Sequence, residues 1–138
     1  METIQKLSNV IVEFYEKLSN WEHDIVFESN LSLTQMHAVE ILGINGSLKM
    51  KELAAKLGIT TGTLTITIDK LEKKGIVRRK ANPNDRRSYV IELTKEGKEI
   101  HLEHSNYHIQ LTKECTVQFT EDDKNKFLNY IISFMQEM

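Results

Sequence analysis

One proline in 138 residues, Pro83, and only six glycines leave this chain few places to break a helix. The apolar residues agree, recurring three and four apart over most of the length. The exception surrounds that proline. Ile76 to Lys80 reads as a strand, and Arg87 to Leu93 as its return, with Tyr89, Ile91 and Leu93 alternating on one face. Ala81-Asn82-Pro83-Asn84-Asp85 supplies the turn between them. The chain is therefore expected to be mainly α, with one two-stranded β-ribbon.

Ile4, Leu7, Ile11, Phe14, Leu18, Trp21 and Ile25 form a heptad-like seam. A helix over residues 4–25 would be about 33 Å long. That exceeds what a small domain needs, so it is expected to pack on more than its own chain. Ser29 to Leu33 breaks the pattern, and a second helix is expected from Thr34 to the Asn45-Gly46-Ser47 stop. A third spans 50–57, poorly marked because Lys49 stands where a capping Ser, Thr or Asp belongs. Gly58 ends it, and either Thr60 or Thr61 can cap a fourth helix that runs to Lys74 and stops at Gly75. Thr94 caps a fifth, along which Ile100, His104, Tyr107, Leu111 and Cys115 recur. Thr120, with Asp123 three residues on, opens the last, whose apolar face is Phe127, Leu128, Ile131, Ile132, Met135 and Met138.

Charge is uneven along this pattern. Between Lys49 and Arg87 eleven basic side chains face four acidic ones, whereas the flanks carry seven basic against sixteen acidic. Such a basic centre suits a local anion-binding surface, and a merely solvated surface is the alternative. A single cysteine, Cys115, excludes an internal disulfide framework and fits a reducing compartment; on the face of Leu111 it is expected to be buried and inert. The opening METIQKLSNV lacks a basic n-region and an apolar h-region, and no apolar run approaches a membrane span. A cytoplasmic protein without a membrane partner is expected.

Helix 50–57, turn 58–60 and helix 61–74 have the lengths and the glycine of a helix-turn-helix. On a wheel of about 100° per residue, Leu64, Ile68 and Leu71 face inward. The opposite face holds Gly62, Thr63, Ile66, Asp69, Lys70 and Lys73, with Thr65 at its flank. Short side chains allow close approach to a major groove, and the lysines are placed for phosphates. Ile66 suits a thymine methyl, or else tucks against Thr63 or a neighbouring helix. Asp69 is out of place near phosphates and is expected to pair with Lys73. At the ribbon tip, Arg86 and Arg87 follow Asp85, and an arginine there can enter a narrow minor groove. Asp85 either buttresses it or pairs with Arg78 or Arg79.

Four motifs together carry a family resemblance: Leu53-Ala54-x-x-Leu57-Gly58, Leu71-Glu72-Lys73-Lys74-Gly75, the Asp85-x-Arg87 wing, and Leu93-Thr94-x-x-Gly97. From about Leu33 to Ile100 the chain resembles the MarR family of transcriptional regulators. The resemblance implies a winged helix-turn-helix with a two-stranded β-wing and long N- and C-terminal dimerisation helices. It implies one domain over 1–138, with 33–100 binding DNA and with 1–28 and 101–138 holding an obligate homodimer. Helix 61–74 would read the major groove through Thr61, Thr63, Thr65 and Ile66, with Lys70 and Lys73 on phosphate, and Arg87, beside Arg86, would enter the minor groove. Asp85 and Arg78 would support the wing. The expected role is a ligand-responsive repressor on a pseudo-palindromic double-stranded operator.

Small effectors in this family bind where the dimerisation helices meet the winged helix. Tyr15, Trp21, Met36, His37 and Tyr107 are the candidates here, or they are core. Met36-His37, Gly62-Thr63 and Ile100-His101 with His104 and His108 are also similar to the family's fatty-acid-synthesis repressors, which respond to acyl chains. A rival reading concerns metal. His101, His104 and His108 share one helical face, and some family members sense zinc through such a helix. Otherwise no cofactor is expected. No nucleophile with an oriented base and no glycine-rich phosphate loop is recognisable, so no catalysis is expected.

Overall fold

Ser32 caps the second helix of the chain. Its hydroxyl accepts the Gln35 N–H at 3.1 Å, while Gln35 Oε1 accepts the Ser32 N–H at 3.0 Å, a reciprocal capping box. The computed structural model, which describes residues 2–138, places six helices and one β-ribbon in the order the sequence predicts. These are α1 (Glu2–Glu28), α2 (Leu33–Asn45), α3 (Met50–Leu57), α4 (Thr61–Lys73), β1 (Val77–Asn82), β2 (Asp85–Leu93), α5 (Lys95–Cys115) and α6 (Glu121–Gln136).

Caps explain the boundaries. Lys49 offers α3 no side-chain acceptor, but Glu52 Oε1 takes the Lys49 N–H at 3.1 Å, half of a capping box. Gly58 closes α3 at φ 68° and Gly75 follows α4 at φ 75°, both left-handed positions that favour glycine. Thr60, not Thr61, caps α4, accepting the Thr63 N–H at 3.2 Å. Thr120 and Asp123 form the expected box at α6.

The ribbon is longer than its apolar alternation suggests. Val77 pairs with Leu93, Arg79 with Ile91 and Ala81 with Tyr89, and then the register slips so that Asn82 meets Asp85. Backbone pairing thus continues through residues read as turn, leaving Pro83-Asn84 at the tip. A bridge between Leu48 and Ile91 ties the ribbon to the segment before α3.

The chain divides into two compact units, the first ending at Leu102 and the second running Glu103–Met138. The boundary between the units falls inside α5. All the buried hydrophobic side chains belong to the first unit, from Val26 to Leu93, with Met36, Leu53, Leu64, Ile68, Leu71 and Ile91 almost wholly inaccessible. Burying such side chains contributes roughly 1.5–3 kcal/mol each. In the second unit, Phe127, Leu128, Phe134 and Met135 of α6 are all exposed. Cys115 is exposed as well, contrary to expectation, because it is the last residue of α5, where the helix ends. Among the described residues no helix is long and apolar enough to cross a membrane.

Two tight contacts fix the start of α5 on the first unit. Thr94 Oγ1 donates within reach of the Gly75 and Ile76 carbonyls, at 2.6 and 3.1 Å, and accepts the Gly97 N–H at 3.2 Å. Gly97 lies so close to the Ile76 carbonyl that a Cβ there would collide with it. A Cβ at Gly43 of α2 would likewise strike the His101 ring, whose Nδ1 lies 3.2 Å from Glu40 Oε1.

Candidate nucleic-acid interface

Helix α4 presents two unlike faces. Leu64, Ile68 and Leu71 are fully buried and Thr67 is nearly so, while Thr61, Gly62, Thr63, Thr65, Ile66, Asp69, Lys70 and Lys73 are exposed. Ile66 is 60% accessible, so within this chain it does not tuck against a neighbouring helix.

The threonine hydroxyls are oriented by their own helix. Thr65 donates to the Thr61 carbonyl at 2.8 Å, leaving acceptor lone pairs outward. Thr63 Oγ1 receives the Thr60 hydroxyl at 3.0 Å and keeps its own proton to donate. The exposed face therefore offers a donor, an acceptor and an apolar group within two turns. These are the three kinds of group that distinguish base edges in a major groove.

At the other edge stands the ribbon tip. Asn82 is buried; its amide donates to Ser88 Oγ at 3.0 Å and its carbonyl oxygen accepts the Asn84 N–H at 3.0 Å. Asp85 Oδ1 accepts the Arg87 N–H at 2.9 Å. This buttresses the arginine backbone and leaves both the Arg86 and Arg87 side chains exposed. Arg78 is not Asp85's partner. It faces its register partner Glu92 across the ribbon, with Nε on Glu92 Oε1 at 2.5 Å. Glu92 also accepts from Ser47 at 3.2 Å, so this carboxylate joins β1, β2 and the loop before α3. The Arg78 hydrogen bond holds the Glu92 carboxyl below its usual range, against the opposing effect of desolvation.

Asp69 pairs with Arg79 of β1 at 2.7 Å, not with Lys73 as its spacing suggested, because a strand packed beside α4 brings a guanidinium nearer than the next helical turn. Lys74 reaches to the turn before α2: Nζ donates to the Asn30 carbonyl at 3.0 Å and lies 3.4 Å from Gln35 Oε1. Local spacing gave no sign of Lys74's partners. Arg79 left a faint one, since it shares a ribbon face with buried Val77, and an inward-side cation calls for carboxylates.

The effector candidates separate. Met36 is 2% exposed and belongs to the core, the alternative the sequence offered for it. His37, Tyr15 and Tyr107 are exposed, Trp21 is half-buried, and the Tyr107 hydroxyl donates to Glu103 at 3.2 Å. The three histidines separate too: His101 is engaged with Glu40, whereas His104 Nε2 and His108 Nε2 stand 3.2 Å apart.

A capped helix-turn-helix followed by a two-stranded β-ribbon packed beside its second helix defines a winged-helix module. The MarR family profile matches residues 31–89. The chain is 33% identical over 112 residues to the HTH-type transcriptional regulator SarZ of Staphylococcus saprophyticus, covering 80% of this chain and 77% of SarZ. It is 38% identical over 71 residues to the HTH-type regulator YfiV of Bacillus subtilis, a match spanning 51% of this chain but 44% of YfiV. Among solved structures, FabT of Streptococcus pneumoniae in complex with DNA shares the fold, with a TM-score of 0.81, 22% identity and coverage of 96% and 97% of the two chains. The chain belongs to the MarR family, and with it to the winged-helix transcriptional regulators.

Proposed function

We infer that this protein is a sequence-specific DNA-binding repressor, acting as a homodimer on a pseudo-palindromic operator under the control of an effector. One observation carries the reading. The exposed face of α4 combines small hydroxyl side chains, an uncovered isoleucine and terminal lysines, directly beside a wing whose tip exposes two arginines. In this arrangement Thr61, Thr63, Thr65 and Ile66 meet base edges, Lys70 and Lys73 meet phosphates, and Arg86 and Arg87 follow the minor groove. FabT, a fold relative, is solved with DNA bound. The homodimer is supported by the apolar residues of α1 and α6 that the single chain leaves exposed. The test is selection of duplexes from a random pool by the purified protein. Enrichment of a two-fold-related motif is expected; recovery of unrelated sequences would end the operator reading.

A second reading concerns the effector. Two imidazole nitrogens bound to one tetrahedral zinc, at about 2.0–2.1 Å each, stand about 3.3–3.4 Å apart. The His104–His108 separation of 3.2 Å fits that geometry. If a divalent transition metal is the effector, zinc shifts affinity for the selected duplex and the change disappears in His104→Ala/His108→Ala. If an acyl chain is the effector, long-chain acyl carrier protein shifts affinity and chelators do not.

A further inference from the structure

Arg79 counts by sequence among the cations of the basic centre, but its surroundings set it apart. Its side chain is 27% exposed, against 60% for its strand neighbour Lys80 and 65% for Arg78. Nη2 meets Asp69 Oδ1 at 2.7 Å, Nη1 meets Glu72 Oε1 at 2.5 Å, and the Arg79 backbone N–H reaches Glu72 Oε2 at 3.3 Å. The guanidinium carbon lies 5.7 Å from the centre of the Tyr89 ring on β2. One side chain of β1 thus grips two residues of α4, three positions apart on one helical face, and rests on the opposite strand.

That geometry needs a planar fork. A guanidinium can serve two carboxylates and stack on a ring at once, whereas an ammonium offers a point charge. The terminal nitrogens are committed to carboxylates, and one face lies towards Tyr89. A two-stranded ribbon is marginal by itself and takes its position from what it packs on. Asp69, at 52% side-chain exposure, projects from the same face as Ile66 and Lys70, where a bare carboxylate would repel phosphates.

We propose that Arg79 is a positioning residue: it does not touch DNA, but fixes the wing against the recognition helix and neutralises Asp69, so that helix and wing tip meet their two grooves in one set register. The proposal rests on the DNA-binding reading and predicts two separable losses. Without the fork the wing tip wanders, and discrimination between operators falls. Without the positive charge Asp69 and Glu72 stand bare, and affinity for every duplex falls.

Three variants of the full chain separate these effects, with affinity measured at several salt concentrations on a duplex enriched by the wild type and on a scrambled one. Arg79→Lys keeps the charge and removes the fork. The enriched-to-scrambled affinity ratio should fall roughly tenfold, the size of one lost base-pair contact, with the salt slope unchanged. Arg79→Gln should weaken both duplexes as well. Asp69→Asn on the Arg79→Gln background should restore affinity for the scrambled duplex and leave the ratio low. Circular dichroism verifies that each variant is folded, and the charge-conserving Arg79→Lys keeps the comparison intact if Arg79→Gln unfolds. An unchanged ratio in Arg79→Lys would overturn the proposal. So would a salt slope in Arg79→Gln flattened as for a lost phosphate contact and not restored by Asp69→Asn. A wild-type protein that enriched no duplex would remove the DNA-binding reading itself, and this inference with it.

Discussion

Ile66 and Lys70 lie one helical turn apart on the exposed face of α4, yet different physics governs them. A lysine on phosphate releases a counterion, with a slope of about −0.9 per phosphate on duplex DNA. Present twice in a dimer, Lys70→Ala should flatten the salt dependence by roughly 2 and weaken all sequences alike. Ile66→Ala should leave that slope alone and cost about 1 kcal/mol per half-site, chiefly where a thymine methyl is contacted. Equal weakening of enriched and scrambled duplexes would show that Ile66 reads no base. Arg87→Ala should weaken binding most where the flanking groove is rich in A·T pairs. Glu92 supplies a stability test. Its carboxyl is depressed in the folded chain, so its contribution is present above the unfolded value and is lost as pH falls through the folded one. Thermal midpoints of the wild type should therefore drop below about pH 4.3, and Glu92→Gln should reduce that drop. The wheel of α4 was legible at this scale, because the buried trio repeats locally. The partners of Asp69 and Lys74 were not, since they arrive from β1 and from the α1–α2 turn, which no periodicity within α4 encodes.

At the level of elements, every helix the sequence announced is present, and the discrepancies sit at ends. The Ser32-x-x-Gln35 box, to which apolar spacing is blind, starts α2 at Leu33 and not at Thr34. Cys115 was expected to be buried because a wheel assumes the helix continues, and α5 stops there. The strands outran their alternation because pairing requires backbone rather than apolar side chains. The junction of β2 with α5 yields a prediction that local reading alone would not. Thr94 looked like an ordinary cap, but its hydroxyl also serves the carbonyls of Gly75 and Ile76. Thr94→Val should lower the unfolding free energy by about 1–3 kcal/mol, while Thr94→Ser should retain most of it. Gly97→Ala should destabilise as well, by forcing a methyl onto a backbone carbonyl. Urea titration with an unchanged m-value measures both; wild-type midpoints would refute this account of the junction.

For the molecule as a whole, the informative surfaces are those the single chain leaves uncovered. Along α1, Ile4, Leu7 and Phe14 are each more than half exposed, although they belong to a heptad seam. On α6, Phe127, Leu128 and Met135 are exposed as well. Two copies related by a two-fold axis would cover such faces, and light scattering at micromolar protein should report about 32 kDa, twice the chain mass. Removing residues 1–12 should abolish both the dimer and DNA binding, whereas a monomeric wild type would end the dimer reading. The seam was legible in the sequence, because its three- and four-residue spacing repeats locally along α1.

The bare apolar face of α6 also bears on how much of this protein a cell must make. When folding and pairing are linked, the working form grows with the square of the chain concentration while copies are scarce, and only in proportion once they are plentiful. If the chain pairs as proposed, a lone newly made copy, which buries no apolar cluster among the described residues beyond Leu102, offers proteases an opening that a partner would close. Halving gene dosage near that threshold would then remove more than half of the operator occupancy, so a control circuit built on this chain would answer sharply to its own supply.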